Sequence, residues 1–147
     1  MCYMLYISTD CQDDLSALTS DLVRFEKPSG ENRSPFPQTL KHEHNWFVGS
    51  EAGCSCTFRH LCRGSVELGF CEPEDWFPEE PAAIEATRRL YAILKDMVQR
   101  GHNLELLDCW IGDEDEDKAT VVLDVSLSQV PAACFRVFEG HLFSLRS

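Results

Sequence analysis

Ile84, Thr87, Leu90, Tyr91, Leu94 and Val98 recur at spacings of three and four residues, the repeat that lines one face of an α-helix with apolar side chains. Pro81 suits the first turn, where its missing N–H would have had no intrahelical partner. Gly101 supplies the left-handed residue at which helices commonly stop. Glu85 precedes Arg89, and Asp96 precedes Arg100, by four positions, which supports the exposed face by roughly 0.2–0.5 kcal/mol per pair. The pattern predicts a helix over residues 81–100. Its stripe must be buried against another layer, and most of the remaining chain reads as short strands. The expected fold class is therefore α+β: a mixed, mostly antiparallel sheet with one long helix packed on a face. At 147 residues the chain fits a single globular domain, residues 1–147.

The strand signals come in order. Tyr3, Leu5 and Ile7 alternate with Met4 and Tyr6, so both faces are apolar, as in a central strand. Residues 15–22 are ambiguous, residues 22–26 suit a strand, and residues 27–37 hold three prolines and a glycine and read as a loop. Trp46-Phe47-Val48 fits a pleated surface. Residues 63–80 read as a weakly structured connection in which Trp76 and Phe77 sit among acids and are expected to tuck into the core. Residues 104–111 and 119–127 read as two strands of a hairpin, joined by the acidic tip 112–118. That tip lacks the spacing of a known calcium loop and reads as a solvated turn. Residues 135–145 are expected to form a second hairpin about Glu139-Gly140. The alternative is a short helix from Ser128 to Gly140.

Charge and composition exclude several classes. The net charge is −12, and the 13 basic residues are scattered. This disfavours nucleic acid, which needs clustered Lys and Arg, and anionic membrane surfaces. It favours a basic protein partner if there is one. No apolar run is long enough for a membrane span, and no signal-peptide pattern opens the sequence, so a cytoplasmic location is expected. In that reducing setting the eight cysteines are expected to be thiols.

Residues 42–62 contain three of the five histidines and three of the eight cysteines. Residues 54–59 alternate, which would place Cys54, Cys56, Phe58 and His60 on one strand face and Ser55, Thr57 and Arg59 on the other. Two thiols on one face are within reach of a single zinc ion. His60, Cys62 and His44 are candidates to complete the set, and Cys71 is a further possible ligand. The spacing is not a recognised zinc signature. A second chemistry is a reactive or redox-active thiol at Cys54 or Cys56, with His60 or His44 beside it. The third and leading expectation is structural: Cys54, Cys56 and Phe58 pack inward, and the protein is a small binding or interaction domain without catalysis of its own.

The run Phe47-Val48-Gly49-Ser50-x-x-Gly53-Cys54-x-Cys56-x-Phe58-Arg59 resembles a segment of short bacterial proteins of unassigned function. So do the opening strand ending Ser8-x-Asp10 and the Cys109-Trp110-x-Gly112-Asp113 segment. The resemblance brings no catalytic residue, substrate or cofactor. It implies that Gly53, Cys54 and Cys56 act as a unit, with Trp110 and Asp113 near it.

Overall fold

The structure is a computed structural model that describes residues 2–27, 39–50, 54–110 and 121–147. In chain order the strands and helix are β1 (Tyr3–Thr9), β2 (Arg24–Glu26), β3 (His44–Gly49), β4 (His60–Leu61), α1 (Pro81–Gln99), β5 (Leu104–Trp110), β6 (Val121–Ser126), β7 (Val137–Phe138) and β8 (His141–Arg146). Short 3-10 segments occupy Leu15–Leu18, Arg63–Leu68 and Leu127–Gln129. Six strands form one sheet in the order β2-β3-β1-β5-β8-β6, antiparallel except for the parallel β6–β8 pair. The fold is α+β with the long helix packed on one face of that sheet.

The two apolar faces of β1 give it its interior place. Leu5 and Ile7 join the large core with Trp46, Val48, Leu106 and Phe143, against Leu90, Leu94 and Met97 of α1. Tyr6 faces the other way and packs with Phe47 and Cys109. The expected stripe of α1 is buried at Thr87, Leu90, Tyr91, Leu94 and Val98, while Ile84 is only partly buried. The Asp96–Arg100 pair closes at 3.0 Å.

Three expectations about pairing and burial are corrected. β5 and β6 are not a hairpin, because β8 lies between them and pairs with both. β8 buries Phe143 and Leu145 on one face and Leu142 on the other, and takes the interior position. β6 exposes Val121 and Val122 and takes the edge. The expected acidic tip lies outside the described residues. The chain does reverse at Glu139-Gly140, but β7 pairs in parallel with β4 rather than with β8. No helix fills residues 128–140 beyond the 3-10 turn. Finally, Phe77 packs against the core, whereas Trp76 is 64% exposed.

Candidate metal centre

Residues 54–59 form turns and bends rather than a strand, and the expected inside and outside are largely exchanged. Ser55 and Arg59 are buried, Cys56 is exposed and Cys54 is half-buried. The cause is where the segment spends its hydrogen bonds. Ser55 N donates to Tyr3 O at 3.1 Å. The Ser55 hydroxyl is spliced into the β1–β3 ladder, accepting from Leu5 N at 2.9 Å and donating to Val48 O at 2.6 Å. Cys54 O accepts from Ser50 N and the Ser50 hydroxyl, and Arg59 N donates to the Thr87 hydroxyl on α1. With its backbone held by the start of β1 and by α1, the segment has no ladder of its own to join.

This anchoring brings a third cysteine to the pair. The sulfurs of Cys2, Cys54 and Cys56 all lie within 4.8 Å of one another. All eight cysteines are free thiols. Within the cluster the thiols are electrostatically unequal. Burial pushes Cys54 up, but the Cys56 N–H and the Cys56 and Cys2 thiols donate towards its sulfur and hold it below the usual thiol value. Cys56, although its residue is exposed, is pushed up to about 11 by partial desolvation of its sulfur and by the Cys54 and Cys2 thiols beside it, against a hydrogen bond from the Tyr3 backbone.

The other expected ligands go elsewhere. The His60 ring is held at both nitrogens, Nδ1 lying 2.8 Å from Asp108 Oδ2 and Nε2 lying 2.5 Å from the Ser55 carbonyl. Cys62 is exposed, and its thiol donates to the Ser65 hydroxyl. His44 faces Thr9 at the far end of β1, roughly 20 Å along the strand from Tyr3 at the usual rise per residue. Cys71 receives a hydrogen bond from Arg136 Nη2 at 3.0 Å.

Sequence reasoning named Ser55, His60 and Trp110 but missed Cys2, Tyr3 and Asp108 as parts of this site. Tyr3, next to Cys2, stacks on His60 with centroids 4.0 Å apart and planes within 6°. Trp110 meets Tyr3 edge-on at 4.6 Å. Asp108 is 1% exposed, and its Oδ1 has no hydrogen-bond partner among the described residues. Burial drives its carboxyl above the usual carboxylate range, opposed by His60. An acid inside the apolar run of β5 was the available signal, since buried charge needs a partner. Cys2 offered none, because its companions lie some fifty positions away in sequence.

Behind the cluster, Arg59 makes a two-point ion pair with Glu79, Nε to Oε2 at 2.7 Å and Nη2 to Oε1 at 2.8 Å. Its Nη1 donates to the carbonyls of Ala133 and Phe135. Arg136 reaches the same carboxylate at 3.3 Å and Gly69 O at 2.7 Å. Arg59 was expected in water, but it instead ties the thiol segment to the loop before α1 and to the loop that follows β6. No protein-family model matches the chain, and no curated protein or solved structure is significantly similar to it.

Proposed function

We propose that the protein binds a thiophilic metal ion, zinc foremost, through the thiolates of Cys2, Cys54 and Cys56, in a reducing compartment such as the cytoplasm. The reading is carried by the approach of three sulfurs to within 4.8 Å of one another. At a Zn–S distance of about 2.3 Å, the sulfurs of a tetrahedral site stand about 3.8 Å apart, so small side-chain rotations complete the set. Three protein donors leave the fourth position to water or an external ligand, as in catalytic rather than closed structural zinc sites. Exposed Cys56 supplies the entry side.

The test is metal titration of the reduced protein with Zn2+, and with Co2+ as a visible probe. About one ion per chain is expected, lost in the Cys54→Ser/Cys56→Ser double variant. Equal uptake by wild type and double variant overturns the reading. Absence of uptake together with fast alkylation of Cys54 would favour dithiol redox chemistry at the same cluster.

A separate observation favours a second reading, a protein-binding surface. Trp76 stands 64% exposed among Glu72, Glu74 and Asp75, and its indole N–H donates to Glu74. An exposed aromatic in an acidic stretch suits a basic segment of a partner protein. Loss of partner capture on Trp76→Ala, with metal uptake intact, would separate this surface from the thiol cluster.

A further inference from the structure

Ser55 sits between two of the three thiol-bearing residues, and its backbone fixes the directions in which they leave the chain. Its carbonyl oxygen is held by His60 Nε2 at 2.5 Å. A carbonyl can only accept, so this nitrogen carries the hydrogen. The other nitrogen then faces Asp108 Oδ2 at 2.8 Å, which fixes the plane of the ring. Tyr3 lies parallel over that ring, and Phe58 meets it edge-on at 6.4 Å. The chain thus continues from an acid buried in β5, through an imidazole, to the peptide joining the Cys54 and Cys56 halves of the cluster. Its imidazole, the middle member, is packed beneath Tyr3, the residue that follows Cys2.

We infer that His60 and Asp108 are positioning residues for the thiol cluster: the imidazole clamps the Ser55 carbonyl and thereby aims the Cys54 and Cys56 sulfurs towards Cys2, while Asp108 orients the imidazole. The inference rests on the metal reading of that cluster. It assigns His60 to the support of the ligands rather than to the ligands themselves. Outer partners of this kind change metal affinity by about ten- to a hundredfold when removed.

The test compares wild type with His60→Ala, His60→Gln and Asp108→Asn in two assays on the reduced protein. One is Co2+ affinity, with the intensity of the thiolate-to-cobalt charge-transfer band. The other is the rate of capture by phenylarsine oxide, which bridges neighbouring thiols without any metal. Expected for His60→Ala are a fall in Co2+ affinity of about ten- to a hundredfold, a weaker band and slower arsenical capture. His60→Gln, whose amide can still donate to the Ser55 carbonyl, should recover most of both. Asp108→Asn should fall between them. A purely structural histidine would lower the thermal midpoint and leave both readouts of the folded protein unchanged, and that result overturns the inference. If His60→Ala does not fold, Asp108→Asn carries the same decision. Wild type that takes no Co2+ defeats the metal reading, and arsenical capture alone then decides the positioning role.

Discussion

At the scale of single residues, the cluster separates two thiols that the sequence presents as equivalent. Cys54 is held below the ordinary thiol value by the N–H and S–H groups donating to it, and Cys56 is pushed up to about 11. Because the thiolate is the reactive form, Cys54 should alkylate with iodoacetamide at a pH where Cys56 stays unlabelled. Cys56 should react more slowly, its labelling rising at higher pH than that of Cys54. Peptide mapping of the labelled sites checks the order, and equal labelling at neutral pH contradicts it. Tyr3 gives a second pH signal. Burial, with help from Glu139 and Asp108, raises its phenol from 10.0 to about 12. A folded-state value above the unfolded one means that its contribution to stability is full below pH 10 and is lost as the pH rises through about 12. An alkaline titration followed by tyrosinate absorbance should therefore show a late ionisation that Tyr3→Phe removes. Ser55 carries the steric and hydrogen-bonding side of the same site. Ser55→Ala leaves Leu5 N–H and Val48 O without the hydroxyl that joins them, which should cost about 1–3 kcal/mol in urea unfolding.

Between elements, the buried Arg59–Glu79–Arg136 group decides whether the thiol segment stays against the rest of the fold. All three side chains are under a tenth exposed. Glu79→Ala would leave two guanidinium groups buried without their counter-charge, a loss of about 3–5 kcal/mol. Chemical denaturation measures it, and a loss below about 1 kcal/mol would place the pair in the class of exposed ion pairs. This group also marks where sequence reading stops. The helix was legible because its signal is local: Leu90, Tyr91, Leu94 and Val98 declare one face within three turns. The positions of β1, β3, β5, β6 and β8 were legible for the same reason. Strand partners were not, because β8 enters between β5 and β6 from further along the chain, and alternation within a strand says nothing of its neighbour. Residues 54–59 alternate correctly and still form no strand, since Ser55 and Arg59 have stronger claims on buried partners than the cysteines have on a sheet face. Cys54 and Cys56 could be singled out by spacing. Asp108 was signalled as an acid inside an apolar run, but the identity of its partner required the fold, as did Cys2 and His60 in its supporting place.

For the molecule as a whole, the proposed centre joins parts of the chain that meet only after folding. Cys2 immediately precedes β1, an interior strand of the six-stranded sheet, while Cys54 and Cys56 sit on a segment tied to β1, to α1 and, through His60, to β5. The unfolded chain keeps Cys2 apart from the Cys54–Cys56 pair, so an ion bound by all three binds the folded state preferentially and stabilises it. The expected gain is set by mass action: at a free metal concentration of about 100 times Kd, it is about 2.7 kcal/mol. For a domain of this size such a gain raises the thermal midpoint by several degrees. The Cys54→Ser/Cys56→Ser variant should show no such rise. Zn2+ binding elsewhere, for instance to the many surface carboxylates of a chain with net charge −12, would lift both proteins alike. Thermal unfolding of the two proteins, each with Zn2+ and with a chelator, therefore tests site and sign together. A midpoint shift that survives loss of both cysteines would remove the cluster from any account of how metal acts on this fold.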